Sequence, residues 1–157
     1  MLMELEAYST LENIYLWSNF FVMPFWLLLV LIPNSRVTQI FVNSVILPLI
    51  LATAYVYTIY QIVLLEEPIF DVFKLYLSLD HLYTVFAAES FLLVFWLHFL
   101  ALNLFLGSWV ARDGVKYYMP RKLIFIPLVL IFFTGPIGLV LYWLIRIFYS
   151  KKLGFHD

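Results

Sequence analysis

The chain has no cysteine. That excludes disulfides, thiolate metal sites and cysteine nucleophiles. Charge is scarce: Asp, Glu, Lys and Arg make up 12% of the 157 residues, against about 25% in a soluble domain. The charges nearly cancel to a formal net −1, so there is no basic footprint for nucleic acid. No polar stretch is long enough to form a separate soluble domain. His, Asp and Glu show no metal-ligand spacing, so neither metal nor cofactor is expected. The start, "MLMELEAYSTLEN", carries Glu4, Glu6 and Glu12. A secretory signal needs a basic start, and a transit peptide needs arginine and few acids. A bacterial inner membrane is therefore a simpler home than a plastid.

What is present is apolar. Hydrophobic residues are 65% of the chain, against about 45–50% in soluble domains. Four runs are long enough for a transmembrane helix: residues 14–32, 37–65, 82–110 and 123–149. Lipid cannot satisfy open strand edges, and the period-2 pattern of a barrel is missing. Short connections then predict one all-α domain over residues 1–157, an integral-membrane four-helix up-down bundle with both termini on one side. Pro24, Pro48 and Gly135-Pro136 lie inside spans and are expected to kink them. The "IFDVFKLYL" stretch of the middle loop is weakly amphipathic and suits the interface. Counted on this topology, Lys and Arg favour the loops after spans one and three as cytoplasmic by five to four.

The third span, "AAESFLLVFWLHFLALNLF", holds Glu89, His98 and Asn103. An ionisable residue inside a span is costly, which makes it a functional candidate. Glu89 and His98 are therefore the expected catalytic residues. Helical spacing puts Glu89, Trp96 and Asn103 on one stripe and His98 on the opposite face. The alternative for His98 is an interhelical hydrogen bond. Depth along the spans collects Asn19, Tyr55, Tyr57, Glu89 and Tyr142 in one half of the bundle. Aromatic walls with a few polar groups are the usual make-up of a ligand site. Asn19, Tyr55, Tyr57, Trp96, Asn103 and Tyr142 are thus the expected substrate contacts. The tyrosines alternatively form an interfacial belt. The acids Glu66, Glu67 and Asp71 read as a solvated loop.

"AESFLLVFWLHFLALNLF", "ARDGVKY" and "TGPIGLVLY" together resemble the plant neoxanthin synthase family, the abscisic-acid-deficient-4-like membrane proteins. The family pattern is a Glu, then W-x-H, an Asp before Leu-Phe, an Asp-Gly and a P-x-G. Glu89, Trp96, His98, Asp113, Gly114, Pro136 and Gly138 match it. Asp113, Gly114, Pro136 and Gly138 are expected as structural positions. Asn103 stands where the family usually has Asp, and an amide cannot act as a general base. The likeness covers essentially the whole chain.

The resemblance implies a carotenoid or isoprenoid isomerase. An epoxide opens and a nearby proton leaves, which needs an acid and a base but no redox cofactor. One alternative is a non-catalytic carotenoid- or lipid-binding accessory subunit. Another is a proton-coupled transporter using Glu89, although four spans without a repeat would have to oligomerise. The expected partners are an apolar ligand and membrane lipid, with a second copy or another carotenoid enzyme alongside.

Overall fold

The computed structural model describes residues 10–42, 46–64 and 75–150. Glu66, Glu67, Asp71 and most of the predicted amphipathic stretch lie outside them. Among the described residues every regular element is a helix: α1 (Leu11–Leu31), α2 (Arg36–Phe41), α3 (Ile46–Leu64), α4 (Leu79–Phe86), α5 (Glu89–Lys116), α6 (Arg121–Thr134) and α7 (Pro136–Ser150). Three stretches are long and apolar enough to cross a membrane: Leu11–Leu31, Arg36–Gln61 and Glu89–Lys116. The outer faces are strongly apolar. On α1, Trp17, Phe20, Leu27 and Leu31 are all exposed, while Ser18, Val22, Trp26 and Leu29 are buried. Soluble proteins rarely leave so much large apolar surface uncovered.

Two of the four predicted spans are divided. The third is not one helix over 82–110. α4 ends at Ala87, whose N–H reaches Tyr83 O and Val85 O, and α5 begins at Glu89. An acidic residue in the first turn of a helix is favoured by the helix dipole, and the sequence offers no Gly or Pro to mark the junction. The fourth predicted span, 123–149, is two helices separated by Gly135. At 14 and 15 residues these rise only about 21 and 22 Å each, short of a hydrocarbon core of about 30 Å. A four-helix up-down bundle needs a single crossing there. The prolines behave unequally. Pro24 sits inside α1 and Pro127 inside α6. Pro48 falls in the first turn of α3 and Pro136 opens α7, positions where a missing N–H costs little.

The chain forms two compact units. One takes residues up to Phe20 together with Leu49–Ala101. Its buried side chains include Leu51, Leu93, Val94, Leu97 and Leu100, and at the α4–α5 junction Phe86 lies edge-on to Phe91 and Phe95 at 5.3 and 4.9 Å.

The other unit takes Phe21–Pro48 and the residues from Leu102 on. Here α6 and α7 fold back on each other. Gly135 makes the turn with φ 61° and ψ −86°, backbone that side-chain-bearing residues avoid. Gly138 lets the two backbones touch. A Cβ there would fall 2.6 Å from Pro127 O and would collide with Ile131 N. Small residues at such crossings matter in lipid, where dispersion and backbone approach, not the hydrophobic effect, draw helices together. The inner face of α6 is Ile124, Pro127, Leu128 and Ile131, and that of α7 is Gly138, Tyr142 and Arg146. Both stripes follow helical spacing.

The hairpin packs along the second half of α5. Gly114 lies against Ile124 near the start of α6, and Asn103 lies against Gly135 at the tip. On the way back, Trp109 meets Tyr142 at 5.7 Å and Tyr117 meets Arg146. So α6 runs against α5, α7 runs with it, and the mouth of the hairpin lies at the carboxyl end of α5. The link into the hairpin is tight. Tyr118 (φ 53°) turns the chain, and Met119 N–H bonds back to Gly114 O, the hydrogen-bond pattern that closes a helix on a left-handed residue.

Candidate functional site

Two groups of polar side chains stand out, one in each unit. In the first, α5 presents His98 beside Tyr55 of α3, with ring centroids 5.9 Å apart and planes inclined at 45°. His98 is exposed and Tyr55 partly so. The flanking α5 residues on the open side, Phe95 and Leu102, are apolar and exposed. His98 is nine residues beyond the start of α5, or about 14 Å along its axis. A titratable ring thus stands exposed about a third of the way along a 28-residue helix of membrane-spanning length.

Trp96 points elsewhere, as its spacing predicts. Its indole N–H donates to Asn19 Oδ1 at 3.1 Å, and its ring lies 5.9 Å from that of Tyr15. Asn19 in turn donates to Tyr15 O at 2.8 Å. This amide is therefore committed to joining α1 and α5. Tyr57 is exposed and accepts from Gln61 Nε2 at 2.7 Å. Glu89, expected inside the third span, stands at the very start of the candidate span Glu89–Lys116. It is the first residue of α5, is exposed, and makes no hydrogen bond among the described residues. The break after Phe86 is the reason, since it starts this helix at Glu89 and not at residue 82.

The second group is enclosed. Asp113 on α5 accepts at Oδ2 from Arg146 Nε at 2.7 Å and from the Tyr142 hydroxyl at 2.6 Å. Arg146 also donates to the Tyr117 hydroxyl at 3.1 Å. Its guanidinium carbon lies 4.7 Å from the Trp143 ring centre and 4.9 Å from that of Tyr117. Tyr142 and Arg146 are fully buried, and Asp113 is 8% exposed. Removing charges from water is expensive, so such a pair persists only when its remaining donors and acceptors are satisfied. Here the aromatic rings and hydroxyls do that.

Local sequence explains the register. Trp109, Asp113 and Tyr117 are four apart, as are Gly138, Tyr142 and Arg146, so each set forms one stripe. Tyr142, expected as a substrate contact, is instead held by Asp113. Asp113, Gly114, Pro136 and Gly138, expected as structural, all sit in the hairpin or at its contact with α5. Arg146 was not among the residues expected at a site. An arginine alone in the apolar run "LVLYWLIRIF" was the available signal.

Asn103 is 7% exposed and lies under Gly135 at the hairpin tip. Its amide nitrogen is buried and has no hydrogen-bond partner. An open cleft lined by Pro33, Gln39, Arg112 and Val115 lies in the same unit.

A family model described as ABA DEFICIENT 4-like matches residues 13–142. That range takes in both polar groups except for Arg146. No curated protein matches the chain, and no solved structure does.

Proposed function

Because the chain belongs to the ABA DEFICIENT 4-like family, we propose that it acts within the membrane on a carotenoid or related isoprenoid, as an isomerase working by acid–base chemistry. The supporting observation is His98, exposed about a third of the way along α5 beside Tyr55. Polar groups at that depth are costly to leave facing hydrocarbon. A lipid-dissolved substrate lying on this face relieves that cost and needs no aqueous route.

Isomerisation of an epoxide to an allenic alcohol consumes no electrons. One proton goes to the oxygen as the C–O bond breaks. Another leaves a neighbouring carbon as the new double bond forms. The Tyr55 hydroxyl is the donor to oxygen in this reading, and the His98 imidazole takes the carbon-bound proton. Glu89 stands outside the pair. The surrounding Phe95 and Leu102 hold the polyene and keep water away.

The charge distribution supports a bacterial inner-membrane location with the loops after α1 and α5 in the cytoplasm. With three crossings and a hairpin that returns to its own side, all Lys and Arg except Lys74 fall on that face. All acids except Asp113 and Asp157 fall on the other.

A second reading is a non-catalytic carotenoid- or lipid-binding subunit serving another enzyme. The closed state of the Asp113 cluster favours it, since those groups already have partners and need no substrate. The two readings part on conversion. His98→Gln and Tyr55→Phe should each reduce product formed per folded protein at least about 100-fold, measured by chromatography of extracted pigments. Glu89→Gln should convert normally. Undiminished conversion in both His98→Gln and Tyr55→Phe would move the chemistry off this pair, and no conversion by the purified wild type would leave the binding-subunit reading standing.

A further inference from the structure

The second unit carries an excess of positive charge. Its described residues hold Arg36, Arg112, Lys116, Arg121, Lys122 and Arg146 against one acid, Asp113, and Asp113 is already paired with Arg146. One of these bases lines a cleft. Near the end of α5, Arg112 shares a cleft of about 340 Å³ with Val115, with Gln39 of α2 and with Pro33 in the link between α1 and α2. Pro33 is buried and Val115 half-buried, whereas Arg112 and Gln39 are exposed. Among the described residues the Arg112 guanidinium and the Gln39 amide make no hydrogen bond or ion pair.

The walls of the cleft are fixed before any ligand arrives. The buried Thr38 hydroxyl donates to Ile32 O at 2.8 Å, which holds α2 to the end of α1. Gly107 of α5 lies against Trp26 and Leu29 of α1, so the same part of α1 is packed on α5. The cleft is also built from the ends of all three stretches long enough to cross a membrane. Its residues come just after Leu31, just after Arg36 and just before Lys116. Lipid headgroups lie at the level where spans end.

We infer that this cleft binds the phosphate of an anionic membrane phospholipid. The planar fork of an arginine matches phosphate oxygens two at a time, and the Gln39 amide adds a neutral donor. Basic pockets between membrane helices take lipid headgroups in this way. Beside the cleft, α2 exposes Val37 and Ile40, at 49% and 54%. An acyl chain covers that apolar surface, and free phosphate does not. The excess positive charge disfavours a zwitterionic lipid, whose ammonium meets the same field. None of this rests on the carotenoid reading.

The test titrates dioctanoyl phosphatidylglycerol, dioctanoyl phosphatidylcholine and inorganic phosphate separately into the purified full-length protein in a nonionic detergent. Affinity is read by microscale thermophoresis. Phosphatidylglycerol should bind more tightly than either of the others. Arg112→Gln should weaken it about ten-fold, the scale of one charge-assisted hydrogen bond. Lys122→Gln removes the same charge outside the cleft and should weaken it less than about two-fold, because salt screens exposed charges at a distance. Both residues are exposed, and a melt of each variant verifies folding. If Arg112→Gln does not insert, Gln39→Leu tests the same cleft and should weaken binding about three-fold. Equal binding of the two lipids, or equal losses in Arg112→Gln and Lys122→Gln, would reduce the cleft to part of a general surface field and overturn the site. Inorganic phosphate bound as tightly as phosphatidylglycerol would overturn the lipid as its ligand.

Discussion

Arg146 ties α7 to α5 through Asp113. It is fully buried, ion-paired to Asp113 and covered by Tyr117 and Trp143. Removing one partner of such a pair leaves the other charge buried and alone, at about 3–5 kcal/mol. Arg146→Leu should lower stability by that amount in a detergent melt. The double change Asp113→Leu with Arg146→Leu should recover most of it, because no charge is then stranded. A double variant as unstable as the single one would mean that the pair does more than neutralise itself. At this scale the sequence was legible in part. Trp96 and Asn19 were both expected at a shared site, and they bond to each other. His98 was expected away from the Glu89 face, and it lies against Tyr55. Asp113 and Arg146 went unpaired because they are 33 residues apart. Only the reversal between α6 and α7 brings them together.

That reversal belongs to the element scale. An apolar run of 27 residues, 123–149, has the length of a crossing, and hydropathy alone cannot distinguish one helix from two lying side by side. Gly135-Pro136 was read as a kink. The difference lies in two local facts: a backbone at Gly135 with φ 61°, and the close approach at Gly138 that keeps the helices together once turned. Gly138→Ala should therefore cost about 1–3 kcal/mol, the range for overpacking, because its Cβ meets backbone atoms of Pro127 and Ile131 that cannot step aside. Gly114→Ala is the control. Its Cβ meets only the Ile124 side chain, which can rotate, and alanine recovers up to about 1 kcal/mol of helix propensity. It should be near neutral in the same melt. Equal losses at the two glycines would contradict the backbone contact that defines the hairpin.

For the whole molecule, the hairpin changes what the charges mean. Four crossings divide the basic residues five to four and leave orientation open. Three crossings and a hairpin, the arrangement proposed above, would put every lysine and arginine but Lys74 on one face, a bias that the positive-inside rule would turn into an orientation. The composition therefore made the membrane class legible. The topology was not, because the number of crossings turned on one glycine. On the proposed count Thr10 and Ser150 would lie on opposite faces, whereas four crossings would place them on one. The absence of native cysteine makes the decisive measurement clean. Single cysteines are placed at Thr10, ahead of α1, and at Ser150, the last residue of α7. Each is labelled with a membrane-impermeant maleimide in intact cells and in inverted membrane vesicles. The account predicts that Thr10→Cys reacts only from outside and Ser150→Cys only in the inverted vesicles. Labelling of both cysteines from the same side would contradict it and restore four full crossings.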